Sequence, residues 1–389
     1  MAFFDVIPIL EKMLSVADNI SDLNFSVGRP PQVEINGKLT PVEIKGLRSL
    51  TPYQTEIIAM TLLEGNLDAA RKLVQTGSAD ISYALPGRVR FRVNIFKQRG
   101  TISIVMRVIP NQIPTIESLG LPPQLAEIAH LKNGIVLVTG PTGSGKSSTL
   151  AAIIDRINSE YSYHIVTIED PIEFLHTHKK STINQREIGT DTPSFALGLR
   201  AALRQAPKVI LVGEMRDMET TEIALEASET GHLVLSTLHT TDASKTVNRI
   251  IGIYPKSEEH VIRTRLAQAF RYIISQRLIP RADGQGRVAA VEILKSTPRT
   301  REYIEQGESE GKSLLDAMND GELEGMQHFD QVIERMIRSG VITQEDGLAY
   351  ATNPSNLMLR LSGLGASSDM LSHRESNYGP MRPGTRARV

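Results

Sequence analysis

Between residues 134 and 239 the chain repeats one pattern: a short unbroken apolar run, a polar break, then a stretch with helical spacing. The runs are GIVLVTG, HIVTIED, KVILVGE and HLVLSTLH. A strand with no polar face is one buried on both sides, so this pattern predicts a parallel sheet covered by helices, an α/β domain. The earlier part of the chain reads differently. MAFFDVIPILEKMLSVADNISDL carries Asp5 and Glu11 inside its apolar stretch and no basic leader, which reads as an amphipathic helix and not as a signal peptide. Residues 31–43 read as a hairpin turning at Asn36-Gly37, and a helix is predicted over 52–75. Residues 88–109 alternate in two runs broken at Gln98-Arg99-Gly100. Together these predict an α+β domain over 1–110.

Four prolines and little periodicity between residues 109 and 123 place a linker at 111–118. The second domain then runs over 119–361, with a helical section from about 296 to 361. The remainder, 362–389, is rich in Ser, Gly, Pro and Arg with scarcely any apolar pattern, and is expected to be disordered.

The first apolar run leads into VTGPTGSGKSST, which fits G-x-x-x-x-G-K-[ST] with Gly140, Gly145, Lys146 and Ser147 at the fixed positions. A strand before and a helix after are what such a loop needs: its backbone N–H groups surround phosphates and the helix points its positive end at them. Gly140, Pro141, Thr142, Gly143, Ser144, Gly145, Lys146, Ser147 and Ser148 are therefore expected to bind nucleotide. Lys146 should reach the β- and γ-phosphates and the Ser147 hydroxyl should ligate Mg²⁺.

Hydrolysis also needs carboxylates at neighbouring strand ends. KVILVGEMRD has the apolar run of a Walker B strand, yet Gly213 stands where an aspartate usually precedes the glutamate. Glu214 remains, to orient the attacking water or to hold the metal through water. Glu169 and Asp170, ending HIVTIED, are the carboxylates available to the Mg²⁺ water shell, with Pro171 stopping the strand behind them. His232 precedes the fourth run and His239 ends it. A lone histidine is as readily a packed residue as a catalyst, whereas a neutral imidazole at the position of His239 can sense γ-phosphate. Arg88, Arg90 and Arg92 alternate on one run, and Arg92 and Arg107 fall on the two runs flanking Gly100. Their planar forks suit phosphate, although spacing alone leaves a solvated charged face as the commoner reading.

Composition narrows this further. The 389 residues, 40% hydrophobic and 22% charged, suit two globular domains. A net charge of −1, from 43 basic and 44 acidic side chains, is no electrostatic footprint for nucleic acid. There is no cysteine, so disulfides and cysteine-ligated zinc are excluded and a cytoplasmic location is expected. No apolar run approaches the ~20 residues of a membrane span, so a membrane role must come through a partner.

In order, GPTGSGKSS, TIEDPIEFLH, ILVGEMRD and ETGHLVLSTLHTTDA resemble the Walker A, Asp box, atypical Walker B and His box of the type II/IV secretion ATPase superfamily. Within it the chain is similar to the type IV pilus retraction motors of the PilT and PilU type. SDLNFSVGRPPQVEINGKL and FRVNIFKQRG resemble that family's PAS-like domain and arginine strands. The resemblance implies a PAS-like N-terminal domain, a RecA-like ATPase domain, and a homo-hexameric ring with ATP held between the two domains. By matching position it gives Glu169 and Asp170 to the Asp box, Glu214 to the Walker B acid, His232 and His239 to the His box, and Arg92 and Arg107 to phosphate-reading arginines. It also implies Mg²⁺-dependent hydrolysis powering twitching motility, an inner-membrane pilus platform protein as partner, and a place at the cytoplasmic face of the membrane. A paralogous retraction ATPase is a further possible partner. Extension and type II secretion ATPases usually carry a four-cysteine zinc element after the His box and a long extra N-terminal domain, and both are absent here. Against the retraction branch, Ala206 and Lys208 stand where acidic residues are common. In TPRTREYIEQG only Arg301 and Ile304 match that branch's AIRNLIRE helix. HKKSTINQRE and SQRLIPRADGQGRVAAVE look more PilU-like. Pilus extension, secretion, a weakly hydrolysing accessory role and nucleic-acid translocation remain the alternatives.

Overall fold

The computed structural model describes residues 5–17, 19–35, 37–85, 89–109 and 112–363. Asn36 at the expected hairpin tip, Arg88, and all of the expected disordered tail beyond 363 lie outside the described residues. The chain divides into two compact units. One comprises Met1–Ile113 together with Glu169–His178 and Gln185–Thr192; the other comprises Pro114–Ile168, Lys179–Asn184 and the chain from Pro193 onward.

In the first unit, α1 (Ile7–Leu14) precedes β1 (Ile20–Phe25), β2 (Gln32–Ile35) and β3 (Lys38–Pro41). The expected single helix over 52–75 is instead two, α2 (Pro52–Leu62) and α3 (Leu67–Thr76). Thr51 and Gln54 form a capping box that starts α2, and Asn66 caps α3 through the Ala69 N–H at 2.9 Å. An N-cap in the middle of an apolar periodicity ends one helix and begins another, because its side chain supplies the hydrogen bond the preceding turn would have made. Then follow β4 (Ser78–Leu85), β5 (Val89–Gln98) and β6 (Thr101–Ile109) in a six-stranded sheet of order β3-β2-β1-β6-β5-β4. Along β5, Phe91, Val93 and Ile95 are fully buried while Arg92 faces out, the period-2 alternation of a sheet with one dry face.

The second unit holds β7 (Gly134–Thr139), α4 (Lys146–Glu160), α5 (Phe195–Ala202), β10 (Val209–Val212), α6 (Met218–Glu229) and β11 (Leu233–Leu238), together with β8 (His164–Glu169) and β9 (Thr182–Glu187) apart from Glu169 and Gln185–Glu187, which count with the first. After these come α7 (Ala243–Ile251), α8 (Glu259–Ala269), β12 (Phe270–Pro280) and β13 (Arg287–Lys295). Its seven-stranded sheet has the order β13-β12-β7-β11-β10-β8-β9. The four apolar runs are β7, β8, β10 and β11, paired in parallel. Every residue of β7 and β11 is buried, as two-sided coverage requires. The pattern does not predict the β12–β13 hairpin, where Ser275, Gln276 and Arg277 interrupt one strand and Glu292 the other. The helical section is α9 (Pro298–Gln306), α10 (Leu314–Asp320), α11 (Phe329–Arg338), α12 (Gln344–Tyr350) and α13 (Pro354–Leu361). No helix among the described residues is long and apolar enough to cross a membrane.

Inside the first unit, Glu187 secures the loop that follows β8. Its carboxylate accepts hydrogen bonds from Ser82 Oγ at 2.6 Å, Arg90 Nη2 at 2.8 Å and the Ile172 N–H at 3.1 Å. With both partners nearly buried, removing one leaves the other charge uncompensated. Glu187→Ala is expected to lower unfolding free energy by about 3–5 kcal/mol, read from urea unfolding followed by circular dichroism. An unchanged midpoint would show that the pair is solvated.

Candidate active site at the phosphate loop

Strand order brings the chemistry together. β7, β11 and β10 are consecutive neighbours, so their carboxyl ends deliver the phosphate loop, His239 and Glu214 side by side. The loop leaves β7 at Gly140, with φ 144°, and enters α4 through Gly145, with φ 90°. A Cβ on Gly140 would lie 2.5 Å from both Gln276 O and Ser144 Oγ, so only glycine lets the backbone pass there. Pro141, Thr142 and Gly143 are exposed, whereas Ser147 and Ser148 are half-buried in the first turn of α4. Ser144 Oγ is buried with no hydrogen-bond partner, an orphaned polar atom in a loop whose donors suit phosphate.

Lys146 lies buried beneath this loop. Its Nζ donates to Gly140 O at 2.8 Å and Pro141 O at 3.0 Å, and stands 3.5 Å from His239 Nδ1. The other imidazole nitrogen, His239 Nε2, is 3.4 Å from Glu214 Oε2. That same carboxylate oxygen pairs with Arg216 Nε at 2.6 Å. The imidazole thus bridges the phosphate lysine and the strand-end acid. Gly213, standing where a Walker B aspartate is usual, works through its backbone: its N–H donates to Ile168 O at 2.8 Å and its carbonyl accepts from Thr237 Oγ1 at 2.7 Å. These bonds hold the exit of β10 against both neighbours.

Not every expected residue joins this cluster. His232 sits at the opposite end of β11 from His239, about 20 Å away along an extended strand. Its Nδ1 lies 2.9 Å from Ala227 O and 3.3 Å from Thr230 Oγ1, which ties it to the end of α6. Within this chain His232 is therefore outside the cluster around Lys146. Glu169, Asp170, Arg92 and Arg107 all belong to the first unit. There, Glu169 Oε1 accepts from Gln185 Nε2 at 3.1 Å. Arg92 and Arg107 stand opposite each other in the β5–β6 register, so they share one face, and Arg107 Nε bonds Asp22 Oδ1 at 3.1 Å. Among the described residues no group of three or more His, Cys, Asp and Glu side chains could hold a metal by itself. A hydroxyl such as Ser147 sharing Mg²⁺ with substrate phosphates and water fits that arrangement, since Mg²⁺ keeps most of its waters.

Three residues of this region escaped the sequence reading: Arg216, Arg277 and Glu292. Arg216 was visible only as a neighbour of Glu214. Arg277 lines a cavity of about 500 Å³ with Pro141, Ser144, Thr241, Arg287 and Tyr350. Glu292 had a signal, being a lone acid inside the apolar run VAAVEIL, and in the structure it is 3% exposed. It accepts a hydrogen bond from the Ala243 N–H at 2.8 Å. Burial, opposed by the backbone bond from Ala243, pushes its carboxyl up to about 7.

A buried parallel sheet with a glycine-rich loop, a lysine under it and an acid at the next strand end but one defines a P-loop nucleoside triphosphatase. Comparison with known proteins makes the class specific. The family described as "Type II/IV secretion system protein" matches residues 39–344, and the chain belongs to it. It is 41% identical over 343 residues to the "Type IV pilus retractation ATPase PilT" of Pseudomonas aeruginosa, covering 88% of this chain and 97% of that one. To the same organism's "Type IV pilus ATPase PilU" it is 39% identical over 357 residues, 92% of this chain and 91% of that one. A crystal structure of the pilus retraction motor PilT with bound ADP superposes with a TM-score of 0.81 at 42% identity, covering 90% of this chain and 98% of that one.

The elevated Glu292 carboxyl has a thermodynamic consequence. Between the ordinary glutamate value of 4.5 and the folded value of about 7, the folded state holds a proton that the unfolded state releases. Stability from this group is therefore full below pH ~4.5 and is lost as pH rises toward 7, by about 3 kcal/mol at most. Comparing unfolding free energies of wild type and Glu292→Gln across this window should show a shallower fall in the variant. Parallel curves would contradict it.

Proposed function

We propose that this chain is a Mg²⁺-dependent ATPase motor that powers type IV pilus retraction as a homo-hexameric ring at the cytoplasmic face of the membrane, joined to it through a platform protein. The observation that carries the reading is the Lys146–His239–Glu214 chain beneath a phosphate loop, in a protein 41% identical to PilT over 88% of its length.

The residues divide the work by their chemistry. Loop N–H groups and the α4 N-terminus bind the phosphates, and Lys146 moves from the carbonyls of Gly140 and Pro141 to the β- and γ-phosphates. Ser147 would hold Mg²⁺, which when bound would supply charge neutralisation at the group being transferred. Glu214 orients the attacking water and accepts its proton. His239, touching both lysine and acid, registers the γ-phosphate and keeps Glu214 in place. Glu169 and Asp170 serve the water shell of the metal, which compensates for Gly213. Arg92 and Arg107 neutralise phosphate charge, bidentate recognition being the property that distinguishes arginine from lysine.

A second reading, an accessory retraction ATPase with weak turnover of its own, is favoured by one observation: PilU is nearly as similar as PilT and covers more of the chain. Turnover measured alone and with a paralogous retraction ATPase separates the two.

Purified protein should hydrolyse ATP only with Mg²⁺, and Lys146→Ala or Glu214→Ala should lower turnover at least about a hundredfold. Deletion in a piliated host should leave excess, immobile pili that wild type but not Lys146→Ala restores to retraction. A bald deletion strain would instead assign the chain to pilus extension.

A further inference from the structure

A buried carboxylate needs a donor, and Glu292 finds one at a helix start. Ala243, whose N–H it accepts at 2.8 Å, is the first residue of α7. The next residue along the strand, Ile293, exchanges two backbone hydrogen bonds with Gln327, at 2.8 and 3.1 Å, two positions before α11 begins at Phe329. The start of α7 presents partial positive charge, which favours an acid there. The charged groups facing it are Arg277 from β12 and Asp242 from the start of α7.

Each side of this carboxylate leads to something different. On one side, Asp242 caps the Lys245 N–H at 2.8 Å, and Thr246 Oγ1 bonds Asp242 O at 2.7 Å and Thr240 Oγ1 at 2.6 Å. So tightly tied a turn has no slack between Ala243 and His239, the residue bridging Lys146 and Glu214. On the other side, Arg277 lies 3.7 Å over the Phe329 ring and bonds Tyr350 O and Thr352 Oγ1. Asp330 accepts the N–H groups of Thr352 and Asn353 at 2.6 and 2.8 Å. This joins α11, α12 and α13 into one polar assembly.

We propose that Glu292 is a positioning residue for hydrolysis: its carboxylate, bonded to the start of α7 from a strand whose next residue pairs with Gln327 just before α11, sets the His239 loop over Lys146 and Glu214 and ties it to the C-terminal helices. The inference rests on the ATPase reading above. Glu292 touches neither the phosphate loop nor the water that Glu214 orients, so its effect belongs to turnover and not to the grip on nucleotide. Losing a contact realised only as reaction proceeds lowers kcat and leaves ground-state binding intact.

Two variants test this in the full-length protein, with Lys146→Ala as the inactive control. Glu292→Gln removes the charge that strengthens the bond from the Ala243 N–H and favours the start of α7. Ala243→Pro removes the α7 donor, with two ring carbons added at a buried position, where the first helical residue tolerates proline's backbone and follows a residue already extended, Asp242 at φ −158°. Each should lower kcat about tenfold or more, while the Kd for a fluorescent ATP analogue stays within about twofold. A folded variant with near wild-type kcat overturns the proposal, and so does a rise in Kd that parallels the loss of kcat. If Glu292→Gln fails to fold, Ala243→Pro decides. A wild-type chain without Mg²⁺-ATPase activity would sink the motor reading and this inference together, whereas an active wild type matched by both variants sinks the inference alone.

Discussion

The loop after β7 passes so close to β12 that no side chain fits at Gly140, where a Cβ would meet Gln276 O at 2.5 Å. Interiors packed at crystal-like density leave such a backbone no room to relax, so the loop takes the one path glycine permits. That path places the carbonyls of Gly140 and Pro141 over the Lys146 ammonium and brings the lysine to His239. The His239 bridge to Glu214 follows from β11 lying between β7 and β10. Close packing at one glycine thus sets the origin from which the other distances are measured.

Charge inside the protein is handled by a common device, which is to give each buried ion donors or acceptors from other elements. Lys146 has two loop carbonyls, Glu187 has Ser82, Arg90 and the Ile172 N–H, and Glu292 has the N–H at the start of α7. Desolvation makes a lone buried charge untenable, so an ion in such a place has to join segments distant in sequence. These ions cost stability where a hydrocarbon would not, and Glu292 shows the cost in its raised carboxyl.

Family membership and the site's geometry speak to different parts of the function. The phosphate loop and its family bear on what happens to a phosphate bond. Similarity to PilT and PilU, nearly equal over most of the chain, describes what the released energy moves. α9 illustrates the difference. Its sequence departs from the retraction-type helix, yet Thr297 and Thr300 form a capping box and Arg263 bonds Ile304 O at 3.1 Å, so the fold accepts the change.

Much was legible along the chain because the physics involved is local or periodic. Unbroken apolar runs announced a parallel sheet, alternation announced the sheet of the first unit, and the glycine spacing announced the phosphate loop. Where a capping residue competed with periodicity, at Asn66, the reading merged two helices into one. The β12–β13 hairpin stayed hidden because its polar residues break the apolar runs, and each of them has a partner only in three dimensions: Ser275 with Thr139, Gln276 with Thr149, Glu292 with Ala243. His232 and His239 looked alike in sequence, seven positions apart at the two ends of one strand. By itself the sequence determined the class of chemistry, since backbone spacing and residue type suffice to hold phosphate. Tertiary structure alone decided which histidine meets Lys146 and why a glutamate lies buried beneath α7, because strand order and long-range hydrogen bonds cannot be read from neighbours in the chain.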